Sequence, residues 1–382
     1  MRRKLRATFE SVLPPSISLN GENDCDPQIH DDRFYESVCF RGTLGLGESY
    51  IKGWWDCRAL DQLFEQLLRA GFLERSKNFL DAIVVRLREK FLNEQRPSLS
   101  RKIAEHHYDL GNTLFEAFLD PNNQYSCGYF EGTQDLNVAQ VQKLRLICRK
   151  LELRPGDRVL DIGCGWGGFA KFASRNFGCH VTGISISDPQ VQYARKFCSG
   201  LPVEIRNCDY RELKGQFDKV LSCGMIEHVG HKNYRVIMET VERCLHRDGL
   251  FLLHTIGKGE DGIPLPDPWI VKYIFPGGML PTPTRIARAA EGLFDAVDFQ
   301  EFGMYYDPTL MAWAANFENN WPKISSQYDE RFHRMWRYYL LTCAATFRVR
   351  KPNLWQYVFR KKGGPGYLSV RNVHASSSPE EV

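Results

Sequence analysis

One ten-residue segment, VLDIGCGWGG at 159–168, constrains the fold of this chain more than any other. The apolar run RVLDI enters a turn with glycine at positions 163, 165, 167 and 168, and GGFAKFASRNFG continues with the apolar spacing of a helix. Because glycine has no Cβ and adopts positive φ, such a strand, loop and helix brings the backbone close to a ligand. The segment therefore predicts a small-molecule site at the end of a strand.

The spacing of these glycines indicates the kind of ligand. The loop reads D-x-G-x-G-x-G from Asp161, which resembles S-adenosylmethionine-dependent methyltransferases and differs from the G-x-G-x-x-G of dinucleotide-binding proteins. From Arg158 to Gly257, strand-like runs alternate with helix-like segments, which is typical of a parallel sheet covered on both faces. We predict an α/β, Rossmann-like class I S-adenosylmethionine methyltransferase domain with a mainly parallel sheet, preceded by a small N-terminal α/β domain.

Polar residues stand at the ends of the predicted strands, where ligands of such sheets bind. Asp161 either fixes the glycine turn or faces the ammonium group of the methyl donor. Asp209 either accepts a hydrogen bond from the adenine amino group or caps a helix, and Tyr210 would contact the adenine ring. The second strand ends at Ser185, so we expect Ser185, Gln190 or both to contact the ribose, where many methyltransferases use an acidic residue.

Size and composition set the broad class. A chain of 382 residues has room for roughly two or three domains, and 43% hydrophobic with 25% charged residues is ordinary for a globular protein. No run approaches the roughly 18–20 apolar residues of a membrane span, so we expect a cytoplasmic protein with peripheral membrane contact. The 12 cysteines form no C-x-x-C pair and no cysteine–histidine cluster, which predicts reduced thiols and no metal site.

Composition shifts predict four segments. Residues 1–30 predict an irregular N-terminal arm, and 31–95 a small N-terminal α/β domain with its linker, including helices around 60–73 and after 75. Residues 96–362 form the catalytic domain, and 363–382 a disordered tail. Within the catalytic domain, a stretch rich in proline, glycine and aromatics at 263–284 predicts a lid or a wall of the substrate site.

Positive charge is concentrated near the C-terminus. Between Arg331 and Lys362 there are nine lysines or arginines and no acidic residue, interleaved with aromatic side chains. The pattern fits either a solvated face of a helix or a surface that attracts phospholipid or nucleic acid. The target-base motif of nucleic-acid methyltransferases, [DN]PP[YF], is missing after the fourth strand, where the chain reads GMIEHVG. We therefore expect no nucleic-acid partner.

Several further motifs carry a family resemblance over about residues 35–360. They are LGLGESYIKGWW, EHHYDLGN, QYSCGYF, VLDIGCGWGG, MIEHVG, FLLHTIG, DPWIVKYIFPGG, YDPTLMAW and YYLLTCAATFR. In these the chain resembles the cyclopropane-fatty-acyl-phospholipid synthases and the related mycolic acid cyclopropane synthases. The resemblance implies transfer of a methylene carbon from S-adenosylmethionine to a cis double bond of a membrane phospholipid. It also implies a homodimer, with residues 31–95 as a lipid-binding or dimerisation domain.

The resemblance also implies the site residues. A carbocation on the acyl chain would be deprotonated by bound bicarbonate, whose implied ligands are Cys127, Glu227, His254, Ile256 and Tyr306. A carboxylate accepts from the bicarbonate hydroxyl, whereas imidazole, phenol and backbone N–H groups donate to its oxygens. Cys343 matches the cysteine treated in the family as the active-site residue, although the segment TCAATF in an apolar helix by itself favours a buried structural cysteine.

The cofactor positions follow in the same way, matched motif by motif. They are Tyr125, Ser126, Asp161, Gly163, Cys164, Gly165, Trp166, Gly167, Gly168, Ser185, Ile186, Ser187, Gln190, Asp209 and Tyr210. Aromatic faces stabilise cations, so aromatic residues are candidates for the substrate cavity, with a structural role in the core as the alternative. These candidates are Tyr129, Phe130, Trp269, Tyr273, Phe275, Tyr306, Trp313, Tyr339 and Phe347.

Two other functions remain open from the residues. A relative with the same fold could quench the cation differently and make a methyl-branched or methylene-branched fatty acid, or could methylate an amine. A non-catalytic protein that binds lipid or S-adenosylmethionine is the second alternative. The complete bicarbonate set argues against the first, and the retention of every motif against the second.

Overall fold

The computed structural model describes residues 2–72, 110–259 and 267–369. Twelve helices follow in chain order within these ranges: α1 Arg2–Glu10, α2 Arg33–Ile51, α3 Leu60–Arg69, α4 Asn112–Phe118, α5 Leu136–Lys150, α6 Gly168–Phe177, α7 Asp188–Phe197, α8 Tyr234–Cys244, α9 Pro268–Tyr273, α10 Pro283–Ala290, α11 Tyr306–Ile324 and α12 Glu330–Arg348. The strands of the same ranges are β1 Gln28–Ile29, β2 Trp55–Asp56, β3 Arg158–Ile162, β4 His180–Ser185, β5 Val203–Asn207, β6 Phe217–Cys223, β7 Leu245–Gly257, β8 Phe294–Glu301 and β9 Asn353–Lys361.

The chain divides into two compact units. Within the described residues, the first unit comprises 2–72, 267–278 and 306–352, and the second comprises 110–259, 279–305 and 353–369. This division differs from a linear boundary at residues 95 and 96, because two later segments cluster with the N-terminal residues. The expected helix and linker after residue 75 lie outside the described residues.

The second unit is built on a seven-stranded sheet with the order β5-β4-β3-β6-β7-β9-β8. The first five of these strands pair in parallel, and β9 is antiparallel to both β7 and β8. Short apolar runs with alternating sides explain this sheet: Leu160 and Ile162 of β3 enter one buried cluster, and Val159 enters the cluster on the other side. The predicted class I methyltransferase sheet is confirmed.

The first unit is mainly helical, with one two-residue ladder between β1 and β2. Helix α3 buries an apolar face, and α2 contains a break at Gly42, which has a φ of 52°. Arg348 of α12 donates to Asp307, Asp61 and Glu65, at 2.9, 2.9 and 3.1 Å respectively. These bonds join three helices of this unit through one guanidinium group.

The N-terminal arm is only partly irregular, which corrects the expectation for residues 1–30. Arg2–Glu10 forms α1, in which Leu5 and Phe9 are four residues apart and therefore share one face. The Phe9 ring is buried and lies 5.2 Å from the Phe34 ring in an edge-on contact. Burial of this face stabilises α1, although the many charged residues of the segment gave no indication of a helix.

At the other end of the chain, residues 364–369 follow β9 without regular structure, and the rest of the predicted tail, 370–382, lies outside the described residues. The segment 263–284 is described from 267 and contains α9 and the start of α10. No helix in the described part of the chain is long and apolar enough to cross a membrane.

Candidate active site

A cavity of about 210 Å³ opens at the carboxyl ends of the parallel strands of the second unit. Its walls come from the glycine loop, the segment 123–126, the end of β4 and the residues that follow β5 and β6. The predicted cofactor residues that line it are Tyr125, Ser126, Asp161, Gly163, Cys164, Gly165, Trp166, Ser185, Ile186, Gln190, Asp209 and Tyr210. The sheet thus places four separate sequence motifs around one space.

The glycine loop is held against its neighbours by backbone contacts. The N–H groups of Gly163 and Cys164 both donate to the carbonyl of Ile184 at 2.9 Å, so they fix the loop to β4 instead of facing a ligand. Gly167 has a φ of 84° at the start of α6. A Cβ on Gly168 would lie 1.8 Å from the Asn122 carbonyl oxygen. Gly167 and Gly168 therefore shape the loop from behind and are not among the lining residues.

Aromatic rings cover the glycine loop. The Trp166 ring lies 4.6 Å from the Phe115 ring of α4, and its indole N–H donates to Asn112 Oδ1 at 2.9 Å. The Tyr125 ring packs edge-on against Phe115 at 5.4 Å. These contacts form an apolar boundary beside the cavity, and α4 was not predicted to contribute to it.

The ends of β4 and β5 carry the expected polar side chains. Ser185 Oγ donates to Gln190 Oε1 at 3.0 Å, so the two candidates for the ribose contact act together. Asp209 Oδ1 accepts from the Arg211 N–H at 2.9 Å, and Asp209 Oδ2 accepts from the Arg211 guanidinium at 2.7 Å. Asp209 is thus the cap of a short 3-10 helix as well as a lining residue. Ser187 is the N-cap residue of α7 and lies outside the lining.

Asp161 is a buried carboxyl group within the apolar strand β3. Burial raises the pKa of Asp161 to about 7, while the nearby Lys143 ammonium acts in the opposite direction. Near neutral pH the two protonation states are therefore close in free energy, and a cationic ligand group would favour the charged form.

A second polar cluster lies where β6 and β7 end. Glu227 stands in a short 3-10 helix after β6, and its Oε1 accepts from the Ile256 N–H at 2.7 Å. Burial raises the pKa of Glu227 to about 7 against this hydrogen bond. Its other oxygen, Oε2, is buried and has no hydrogen-bond partner in the described part of the chain. Such an atom is costly unless a ligand satisfies it.

His254 presents a second buried atom of this kind. Its Nε2 has no hydrogen-bond partner within the described ranges, and its Nδ1 lies 3.2 Å from the Gln356 amide nitrogen. With that nitrogen donating, the ring proton is on Nε2. Burial and the positive charges of Lys143 and Lys150 hold the pKa of His254 well below its usual range, so the ring is neutral. His254 therefore presents one N–H donor.

Cys127 is buried, and its thiol donates to the Gly128 carbonyl at 3.2 Å. Two residues further on, the Tyr129 ring packs edge-on against Phe302 and Tyr305, each at 5.3 Å. Phe302 also lies 5.7 Å from the His254 ring. Phe302 and Tyr305 thus connect two of the predicted motifs, although the sequence did not single them out.

Tyr306 and Cys343 belong to the first unit. The Tyr306 ring stacks on the Phe347 ring at 4.3 Å, and Trp269 of the same unit lies 4.5 Å from Tyr338. Burial raises the pKa of the Cys343 thiol to about 12, so it is protonated at neutral pH and is a poor nucleophile. Both of these ring contacts lie within the first unit.

The sequence and the fold of this chain are similar to those of known proteins. Residues 95–357 match the mycolic acid cyclopropane synthetase family. The chain is 45% identical over 357 residues to the cyclopropane-fatty-acyl-phospholipid synthase of Escherichia coli K12, covering 93% of each chain. The chain belongs to the mycolic acid cyclopropane synthetase family. It is therefore an enzyme of the S-adenosylmethionine-dependent methyltransferase class.

Other members of this family agree with the assignment. The tuberculostearic acid methyltransferase of Mycobacterium tuberculosis is 32% identical over 347 residues, which are 85% of this chain and 80% of that one. The solved structure of the cyclopropane synthase MmaA2 from Mycobacterium tuberculosis is 29% identical with a TM-score of 0.64, covering 69% of this chain and 98% of that one. A structure of the mycolic acid cyclopropane synthase CmaA1 complexed with SAH and CTAB is 31% identical with a TM-score of 0.63, at the same coverage.

Several lining residues were not assigned a role from the sequence. Cys208, Arg211, Met225 and His228 line the cavity, and burial lowers the pKa of His228 to about 4. All four lie within about five residues after the end of β5 or β6, so the rule that ligands bind at the carboxyl edge could have included them. Lys143 and Gln356 lie behind the two sites, in α5 and β9, where no motif points to them.

Proposed function

We propose that this enzyme is a cyclopropane-fatty-acyl-phospholipid synthase that adds the methyl carbon of S-adenosylmethionine to a cis double bond of a phospholipid acyl chain. The observation that carries this proposal is the pair of buried polar atoms without partners, Glu227 Oε2 and His254 Nε2, beside a methyl-donor cavity. An alkene has no proton to remove before methyl transfer. After transfer, ring closure requires the loss of one proton, so the site needs a base and must exclude water.

The two buried atoms fit a small oxyacid such as bicarbonate. A hydroxyl donor of the ligand would satisfy Glu227 Oε2, and an oxygen of the ligand would accept from His254 Nε2–H. When bound, bicarbonate supplies the base that accepts the ring-closing proton. The Ile256 N–H, which was expected to bind bicarbonate, donates instead to Glu227 Oε1 at 2.7 Å. It therefore orients the carboxyl group. Cys127 and Tyr306 remain proposed ligands.

The protein's own groups perform the remaining tasks. Glu227 and His254 hold a proton at a defined atom, because Ile256 and Gln356 fix their other polar atoms. The neutral His254 adds no positive charge next to a developing cation. The rings of Tyr129, Phe302 and Tyr305 present apolar surface that excludes water, and aromatic faces favour a cation.

The partner is proposed to be unsaturated phospholipid at the surface of an anionic membrane, bound peripherally by a cytoplasmic homodimer. The methyl-branched product of a tuberculostearic acid methyltransferase is the alternative outcome within this family. Both reactions begin with the same methyl transfer and differ in how the cation loses its charge.

The direct test is to incubate the purified chain with labelled S-adenosylmethionine and vesicles of cis-monounsaturated phospholipid. Mass spectrometry of the released fatty acids then identifies the product. A labelled cyclopropane supports the proposal, and a labelled branched chain moves the assignment to the alternative. Absence of label from the lipid would overturn both.

The substitution Glu227→Gln tests the role of the Glu227 carboxyl group. Glutamine keeps the shape and an acceptor for the Ile256 N–H but cannot accept a proton at neutral pH. We expect turnover to fall about a hundredfold or more, whereas affinity for S-adenosylhomocysteine stays within about twofold of the wild type. Turnover close to the wild-type rate would remove the bicarbonate site from this mechanism.

A further inference from the structure

Lys143 is a fully buried lysine in the middle of α5, with 0% of its surface exposed. Its ammonium group donates to Ser126 Oγ at 2.9 Å and to Gln124 Oε1. Placing a charged amine in the interior is costly unless hydrogen bonds and opposite charge compensate it. The proposed mechanism gives Lys143 no task. The free-energy cost of burying its ammonium group therefore suggests that it has another role.

The acceptors of Lys143 belong to a loop that serves both clusters of the site. Gln124, Tyr125 and Ser126 line the methyl-donor cavity, and Cys127 follows directly. The rest of the loop is held from two sides: Asp120 Oδ1 accepts from the Gln124 N–H, and Gln140 Nε2 donates to the Ser126 carbonyl, each at 2.8 Å.

Those two bonds fix the backbone of the loop. The Lys143 ammonium is the group that holds both polar side chains, Gln124 and Ser126, from behind the cavity wall. Without it, the Gln124 side chain would keep, within the described residues, only its bond to the Asn122 carbonyl, at 3.1 Å. Within the same residues Ser126 Oγ would keep only a thiol contact with Cys223, at 3.7 Å, so both side chains would be held less firmly.

The charge of Lys143 acts on the same two clusters. It lowers the pKa of Asp161, which burial otherwise raises, and it lowers the pKa of His254. Burial lowers the pKa of Lys143 itself, and in its ionised form this residue favours an anion in the wall of the methyl-donor cavity and a neutral ring in the acid–base cluster. Both effects suit a site that binds a cationic methyl donor and later removes a proton.

We infer that Lys143 is a positioning residue for methyl-donor binding. Its ammonium group holds the side chains of Gln124 and Ser126 in the binding conformation, and its positive charge acts on the buried Asp161 carboxyl group in the wall of the same cavity. The inference rests on the proposed function only for the identity of the methyl donor, and lipid chemistry does not enter it.

The experiment measures the dissociation constant of S-adenosylhomocysteine by isothermal titration calorimetry, without lipid. We expect Lys143→Met to weaken binding by about tenfold or more at pH 7, since a charged hydrogen bond and a fixed loop are both lost. Lys143→Gln keeps a polar group that can still donate to Ser126, so it is the second variant and decides the question if the methionine variant does not fold. Its loss of affinity is expected to be smaller.

Lys150→Met is the matched control. Lys150 is equally buried in the same helix, but its Nζ lies 3.1 Å from Asp298, away from the loop. We expect this variant to melt at a lower temperature yet to bind S-adenosylhomocysteine with wild-type affinity, measured well below its melting temperature. Unchanged affinity in a folded Lys143 variant, or an equal loss in Lys150→Met, would overturn the inference.

The pH dependence separates positioning from general stability. In Lys143→Gln the pKa of Asp161 rises, so the deficit in affinity should be largest near pH 7 and shrink towards pH 9, where Asp161 ionises. The other titratable groups around Asp161 are the thiols of Cys164, Cys198 and Cys223, whose pKa values burial raises. A deficit independent of pH would refute the electrostatic part of the inference.

The binding measurement also distinguishes failure of the Lys143 inference from failure of the proposed function. If the wild type binds S-adenosylhomocysteine but makes no labelled lipid, the proposed function fails and the Lys143 comparison still stands. If the wild type makes cyclopropane lipid and the Lys143 variants bind normally, the inference fails alone.

Discussion

Glu227 shows how one buried acid sets the chemistry of the site. Its Oε1 is anchored by the backbone of β7, and its Oε2 has no partner within the described residues. The carboxyl group is therefore oriented but only half satisfied, and burial raises its pKa to about 7. A group with this pKa can accept or release a proton near neutral pH, which is what an acid–base role requires.

This pKa predicts how stability depends on pH. The folded pKa lies above the ordinary value, so the contribution of Glu227 to stability is full below about pH 4.5 and is lost as pH rises through about 7. In bicarbonate-free buffer, we expect the unfolding free energy of the wild type to fall by about 2 kcal/mol more than that of Glu227→Gln between pH 5.5 and 8. Urea unfolding at the two pH values measures this difference, and parallel profiles would contradict it.

Gln356 is predicted to fix the tautomer of His254. Gln356→Leu removes the group facing Nδ1, so the ring proton is no longer confined to Nε2. We expect turnover on phospholipid vesicles to fall about tenfold or more while S-adenosylhomocysteine binding is retained. Gln356→Glu is the matched variant, since a carboxylate would draw the proton to Nδ1 and lower turnover further. Wild-type turnover in both variants would exclude this role.

Single residues were predictable to the extent that a short motif marks them. Most of the residues marked by the motifs at 125–127, 161–168 and 185–190 line one cavity, whereas Cys127, Gly167, Gly168 and Ser187 do not. Asp209 left two readings open, and the structure shows it capping a short helix while also lining the cavity. Lys143 gave no signal, because a lysine within a helix is ordinarily solvated and only packing reveals its burial.

At the scale of elements, the last glycine of the loop allows close packing between the start of α6 and the segment at 122–124. Gly168 begins α6, and the place of a Cβ there is already taken by the Asn122 carbonyl oxygen at 1.8 Å and Gln124 Nε2 at 2.3 Å. The third and fourth glycines of the motif therefore serve close packing, and the lining of the cavity falls to Gly163 and Gly165.

Gly168→Ala should accordingly disturb packing first. We expect the unfolding free energy to fall by about 1–3 kcal/mol, and S-adenosylhomocysteine affinity to fall with it because Gln124 is displaced. Gly366→Ala is the control, since a Cβ there meets open space. Chemical denaturation and calorimetry measure both quantities. A Gly168→Ala protein with wild-type stability would show that the contact relaxes without cost.

The strands of the sheet were predictable from short apolar runs, and α1 was not. Strands β3 to β7 lie within the predicted alternation of strands and helices from Arg158 to Gly257. The central strand β3 is buried along most of its length, whereas the edge strand β5 alternates apolar and polar residues. Helix α1 is rich in arginine and lysine, and only burial of Phe9 against Phe34 and Phe72 accounts for its stability. The stability of α1 therefore depends on contacts with residues distant in sequence, which the segment itself does not reveal.

At the scale of the whole molecule, the basic C-terminal segment is less available for a membrane than its sequence implies. Among the residues that the structure describes, five of its nine cations have these carboxylate partners: Arg334 with Asp56, Arg337 with Glu318, Arg348 with Asp307, Arg360 with Asp295 and Lys361 with Glu242. Arg331, Arg350, Lys351 and Lys362 are exposed. Much of this charge therefore stabilises the protein itself.

Membrane binding, if electrostatic, should depend on the exposed cations. We expect Arg331→Glu to weaken binding to phosphatidylglycerol-containing vesicles by about tenfold at low salt, and the difference to shrink as salt rises. Arg334→Gln is the control: its partner Asp56 lies 2.7 Å away, so the substitution should lower stability and leave vesicle affinity nearly unchanged. Vesicle sedimentation measures the affinity. Equal binding by wild type and Arg331→Glu would place the membrane contact elsewhere.

The sequence by itself determined the class of the sheet, the methyl-donor loop and the family, because these depend on spacing within short segments. The tertiary structure decided what surrounds those segments. Sheet register places Gln356 opposite His254, 102 residues away in the chain, and packing buries Lys143 beneath the loop at 124–127. Which polar atoms are satisfied and which await a ligand depends on such distant contacts. Local spacing carries no information about them, since hydrogen bonding and burial are properties of the assembled interior.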